Sequence, residues 1–339
     1  MRLFENRTRI LTPLALAALA AAIPAGAASV RPIRFDHLSL EQGLSQSTVM
    51  DILQDRRGYI WLATEDGLDR YDGLSFQVYK HDPADAASLP SSFVWDVDED
   101  AAGNVWVATT NGLAMWDRVT DRVVREPKLD GHHIRVVRYD AKRNAVWVGT
   151  RDSGVRRLDL RTGAWASFVH DPADPGSLGD DRISALYLDG KDRLWVGTEG
   201  GLDRLDGSRF THFASGAASS TSLSDGKVRA ILQDDTGALW VGTSNGLNRL
   251  DPTTGRFEHF RHDASVPSSL GHDHVRAILQ DADGRLWVGT NEGLDLFDPN
   301  RRSFAHYSQD PRIPSSLADD HVLSLAQDRG GVLWVGTRL

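Results

Sequence analysis

The 339-residue chain has no cysteine, which excludes disulfides, thiolate metal sites, cysteine nucleophiles and lipid-modified cysteine. It also lacks a basic stripe: 38 Lys and Arg stand against 47 Asp and Glu, a formal net charge of −9. Such a surface repels phosphate backbones, so no nucleic-acid partner is expected. No apolar run reaches the roughly 20 residues of a spanning helix, so membrane contact is expected only through segments outside this sequence. Sustained 3.6-residue periodicity is missing, which argues against helical solenoids. There is no G-x-S-x-G nucleophile, Gly-rich phosphate loop or H-E-x-x-H, and neither a cofactor nor a metal is expected. What remains is a globular composition, 40% hydrophobic with 31 Gly, which rules out bulk disorder.

The N-terminus reads as a secretory signal over residues 1–27. Arg2, Arg7 and Arg9 form a basic head, Ile10 to Ile23 run apolar and Ala-rich, and Ala25-Gly26-Ala27 supplies small residues for cleavage. The mature chain, 28–339, is therefore expected in the periplasm.

Self-similarity governs the remainder. Seven of the ten Trp open one tetrapeptide: Trp61-Leu62-Ala63-Thr64, Trp106-Val107-Ala108-Thr109, Trp147-Val148-Gly149-Thr150, then W-V-G-T at Trp195, Trp240, Trp287 and Trp334. The spacings are 45, 41, 48, 45, 47 and 47 residues, a period that marks a solenoid or a propeller. Each unit reads as four short strands. An apolar strand such as Val275 to Leu279 comes first, then the Trp strand. A Gly-Leu turn such as Gly293-Leu294 opens a third strand ending in apolar-Asp, and paired aromatics such as Phe304/Tyr307 mark the fourth. Four antiparallel strands per unit imply an all-β fold, a seven-bladed β-propeller.

Turn chemistry supports the same reading. Gly58, Gly103, Asn144, Asp192, Gly237, Gly284 and Gly331 stand three residues before each repeat Trp, the choice made by a position of positive φ. Asp55, Asp100, Asp189, Asp234, Asp281 and Asp328 stand six before it, with Asp140 shifted by one. A carboxylate there can accept backbone N–H groups across the turn, a structural duty.

The unit Asp281-Ala282-Asp283-Gly284-Arg285-Leu286-Trp287-Val288-Gly289-Thr290, followed by Gly293-Leu294, resembles the two-component regulator propeller repeat, and the resemblance runs over residues 33–339. It implies the periplasmic sensor part of a membrane receptor whose histidine kinase or diguanylate cyclase output lies elsewhere, with no catalysis in this chain and a homodimer in the full receptor. The sialidase Asp box fails because Asp stands three before Gly here, and quinoprotein dehydrogenases commonly use paired Cys. A streptogramin-lyase-like enzyme and a protein-binding scaffold are the alternatives.

Candidate ligand contacts are sought where repeats disagree, because framework positions are taken by folding. The inner-strand starts carry Trp95, Arg135, Arg182, Lys227, Arg229 and Arg276, and the turn after the third W-V-G-T carries Arg151. Arg and Trp there suit a small carboxylated or oligosaccharide-like ligand, by bidentate bonding and stacking. His272-Asp273-His274 has metal-like i, i+2 spacing but reads better as a polar loop. The His81-Asp82-Pro83 and His170-Asp171-Pro172 loops read as connectors rather than calcium loops.

The seventh repeat is expected to be incomplete. Its W-V-G-T is followed only by Arg338-Leu339, without a third-strand motif, as in a fragment of a longer receptor. Residues 33–40 are expected to supply its fourth strand, because Phe35-Asp36-His37-Leu38 resembles Phe257-Glu258-His259-Phe260.

Overall fold

The computed structural model describes residues 33–213, 215–216 and 222–338; the signal-segment reading lies outside them. Six four-stranded antiparallel sheets follow in chain order, spanning 49–79, 94–125, 134–168, 183–213, 228–260 and 275–307. In each, neighbouring strands in sequence are neighbours in space, the meander of a propeller blade. The last W-V-G-T pairs only with Val322–Gln327, giving a two-stranded sheet with Leu333–Thr337. Complete blades among the described residues thus number six, not seven: the Gly-Leu-x-x-apolar-Asp stretch that builds the other third strands, Gly154-Val155 being the one variant, has no counterpart after Thr337 in this sequence.

The repeated Asp and Trp form one device. Asp281 Oδ1 accepts the N–H groups of Asp283 and Arg285, and its Oδ2 accepts the Trp287 indole N–H at 2.8 Å. The indole bond recurs in all seven repeats, from Asp55 to Trp61 through Asp328 to Trp334. These hydrogen bonds, reinforced by Arg285, hold the buried Asp281 below the usual carboxylate range although burial alone works to raise it. All seven predicted turn positions adopt positive φ, from 47° at Asn144 to 100° at Gly58.

Blades meet through small residues. A Cβ on Gly149, Gly197, Gly242 or Gly289 would lie 2.5–2.6 Å from a methyl of Ile183, Val228, Val275 or Val322 on the next inner strand. A glutamine staple also repeats. The backbone N–H of Gly190, Asp235 and Ala282 donates to Gln233, Gln280 and Gln327 of the following sheet. Arg329 N donates to Gln54 in the same way, joining the two-stranded sheet to the first blade. The core is therefore a chain of inter-blade clusters with no single centre, each containing a repeat Trp and the next inner strand.

Candidate functional site

Residues of all seven inner strands line one cavity of about 250 Å³, from Met50 and Asp51 in the first to Leu323–Leu325 in the last. Inner strands point side chains alternately toward the axis and into the blade, so every sheet contributes.

One side of this cavity is cationic. Arg135, Arg229 and Arg276 come from three different blades. Arg135 lies over the Trp95 ring, its guanidinium carbon 3.8 Å from the centroid. Burial, then Arg229 and Arg151, push its pKa down to about 10. Arg229 donates to Glu199 at 2.7 Å, and Arg276 to Asn291 at 2.6 Å. Burial lowers the Arg276 pKa as well, helped by Arg229 and Arg338. His274 is pushed down to about 4 by burial, Arg276 and Arg229. Burial, Arg135 and Arg151 lower His133 in the same direction. Three buried polar atoms around these arginines, Trp95 Nε1, His133 Nε2 and His274 Nε2, have no hydrogen-bond partner among the described residues. Buried polar atoms normally have one.

A different arrangement lies further along the same strands. Arg138 Nη1 donates to Asp96 at 2.7 Å. Asp51, Asp96 and Asp98 accept the N–H groups of Val97, Val137 and Tyr139, each on the next blade. Burial raises the pKa of all three carboxylates against the pull of Arg138. Burial works against the Arg138 charge in turn, yet Asp96, Asp51 and Asp98 together push its pKa up. This cluster ties three blades together by its own bonds.

Four of the seven candidate contacts, Trp95, Arg135, Arg229 and Arg276, line the cavity together. Arg151 is exposed but close enough to act on Arg135 and His133. The other two stand apart from it. Arg182 is held by Asp180 through two bonds of 3.0 and 2.5 Å, and Lys227 is exposed. Stacking on Trp95 is already supplied by Arg135 and by Phe93, whose ring lies 4.6 Å away. His274 was read from the sequence only as part of a polar loop, and nothing in the repeat marks His133 as a neighbour of these arginines. Among the described residues no group of three or more His, Asp and Glu is placed to hold a metal. His272 instead accepts the His274 backbone N–H at 2.9 Å.

The two component regulator propeller pattern matches six times, at residues 43–66, 88–111, 177–200, 222–245, 269–292 and 316–338. The repeat is that of the two component regulator propeller family. A solved structure, the extracellular domain of the hybrid two component system BT3049 from B. thetaiotaomicron, superposes with a TM-score of 0.76 at 25% identity. The match covers 90% of this chain and 41% of that one, so the chain spans about two fifths of its structural relative. Histidine kinase P4 of Formosa agariphila is 49% identical over 47 residues, 14% of this chain and 3% of that protein. Virginiamycin B lyase from Staphylococcus aureus shares the fold alone, with a TM-score of 0.63 at 14% identity, covering 86% of this chain and 92% of that one. Among the described residues no helix is long and apolar enough to cross a membrane.

Proposed function

We propose that this chain is the non-catalytic, ligand-sensing propeller of a membrane signalling receptor, exported by its N-terminal segment to the periplasm. Its output would be a histidine kinase or diguanylate cyclase on another segment, driven by altered packing of two receptor chains. The reading is supported by the company of this repeat in two component systems.

The ligand class follows from one observation: three partly buried arginines converge on a cavity beside three unpartnered buried polar atoms. Burial and the nearby Arg229 depress the pKa of Arg135 and of Arg276, so both are at higher energy without an anion between them. The cavity, at about 250 Å³, is below the roughly 300–1,000 Å³ of drug-sized sites, so the ligand is a small carboxylated molecule. Trp95 serves as the bed for Arg135 and as an N–H donor rather than as a sugar platform.

A thermal-shift screen of small mono- and dicarboxylates, including uronic acids beside their neutral sugars, tests this. Arg276→Met should weaken the best hit at least tenfold while leaving the melting temperature of the free protein unchanged or higher. A hit insensitive to Arg276→Met, or a free protein that loses stability on the change, sinks the site.

A further inference from the structure

Every inner strand carries the same irregularity. Its pairing with the Trp strand skips one residue, between Val49 and Asp51 in the first blade, between Val94 and Asp96 in the second, and at the equivalent place in each of the others. A bulge leaves its extra residue out of the ladder and re-aims its side chain. All seven skipped residues line the axial cavity. They form one layer, a residue from each sheet, and the inner strands follow one another around the axis in chain order, the last beside the first.

The layer is divided into two arcs. Leu323, Met50 and Trp95 come from the two-stranded sheet and from blades 1 and 2, which are neighbours in the ring. Arg135, Ser184, Arg229 and Arg276 come from blades 3 to 6. One wall of the well is therefore apolar and the facing wall cationic. All seven residues are half-buried, so each keeps surface that a ligand can cover.

Donors and acceptors are shared just as unevenly. The arginines donate, and Trp95 Nε1 is a buried donor without a partner among the described residues. Ser184 Oγ is turned to Gly197 O and Val228 O. Glu199 and Asn291 accept from Arg229 and Arg276 and are not among the lining residues. Two carboxylates do line the cavity, one residue further along. Asp51 already accepts the Val97 N–H, and Asp96 the Val137 N–H and Arg138. The layer can thus hold a carboxylate on one side, while the other side offers nothing to a hydroxyl group. A hydroxyl pressed against Met50 or Leu323 gives up its water and gains no partner.

We propose that the bulge layer makes the well selective for carboxylates with a compact apolar body, alicyclic, branched or aryl, over hydroxylated acids of similar size and charge, and that Met50 and Leu323 set this preference. The inference rests on the carboxylate reading above and narrows it. The carboxylate goes to the arginine arc. The body goes to the apolar arc, where covering Leu323 and Met50 adds to affinity.

Cyclohexanecarboxylate and galacturonate are the probes, two saturated-ring monocarboxylates that differ chiefly in hydroxylation. Titration calorimetry on the full chain reads both. Cyclohexanecarboxylate should bind at least tenfold tighter, with the more negative heat-capacity change. Met50→Gln combined with Leu323→Asn should narrow that ratio at least fivefold, whereas Met50→Leu combined with Leu323→Met should keep it. The ratio is measured first in the unaltered chain, so it tests the preference even where a variant fails to fold. Equal affinities, or a preference for galacturonate, overturn the inference; if Arg276→Met still weakens both acids, the carboxylate reading stands without it. A ratio unmoved by the polar changes at Met50 and Leu323 overturns their assignment. Binding of neither acid, or binding indifferent to Arg276→Met, brings down the carboxylate reading and this inference with it.

Discussion

A single residue type, the aspartate after Gly-Leu, behaves differently from blade to blade because of what stands across the strand. Asp295 and Asp203 face His306 and His212 in register, and both histidines bond them. Asp69 faces Val78 instead, and its Oδ1 is buried without a partner. Burial then pushes its pKa to about 6, Ser45 pulling the other way. A folded-state pKa raised above the ordinary 3.8 means that stability is lost as pH rises from there through 6. Val78→His should supply the missing donor, bring Asp69 below 6 and add about 1 kcal/mol near pH 6. NMR titration of the Asp69 carboxyl carbon and urea unfolding at pH 4 and 6 measure both; an unmoved midpoint refutes the account. His306 shows the complementary case. Its bond to Asp295 raises its pKa above the ordinary 6.5, so its contribution is present below that value and fades as pH climbs through the folded pKa.

Among elements, the second strand of each blade sets how closely its neighbour can approach. Gly289 has no room for a side chain: an added Cβ would lie 2.5 Å from a Val322 methyl and 3.3 Å from Ala277. Gly289→Ala should therefore cost about 1–3 kcal/mol through overpacking, and Val322→Ala in the same chain should restore part of it. If the double variant is no more stable than Gly289→Ala alone, the contact between these two strands does not set their spacing. The strands themselves were legible in the sequence because the Trp, Gly-Leu and Asp positions recur, and each recurrence repeats one physical demand. The positive-φ turns were legible for the same reason. The axial site was legible only in part. Trp95, Arg135, Arg229 and Arg276 depart from the repeat and converge on the cavity, but so do Arg182 and Lys227, which do not. Nothing in the pattern says that Asp180 holds Arg182, since that bond lies within one loop. The Asp51, Asp96, Asp98 and Arg138 cluster was missed because its members sit in different repeats and join only when the blades are arranged around an axis. The blade count differs at the seventh repeat, which was read as an incomplete blade finished by residues 33–40: its sheet has two strands, no third-strand sequence follows to pair, and residues 33–38 join no ladder.

For the molecule as a whole, the first three blades are joined at the axis by charge. Among the described residues Arg138 is the cation that acts on Asp96, Asp51 and Asp98. Removing it leaves the buried Asp96 and the half-buried Asp51 and Asp98 without a counter-charge. Arg138→Met should cost about 3–5 kcal/mol at pH 7. The loss should shrink toward pH 4 as those carboxylates, already raised in the folded state, take up protons. Urea unfolding across that range checks it, and a pH-independent difference would exclude the electrostatic cause.

The arginine side of the axis has the opposite character, and its consequence concerns the circumference of the ring. Arg135, Arg229 and Arg276 sit on blades 3, 5 and 6 and repel one another across the cavity. A carboxylate shared among them would act as a drawstring, pulling three wedges inward at once. Because blades 3 to 6 are each packed against the next inner strand through a glycine with no slack, that inward pull would be passed along the hoop. It would surface where the hoop is weakest, at the two-stranded sheet beside residues 33–38.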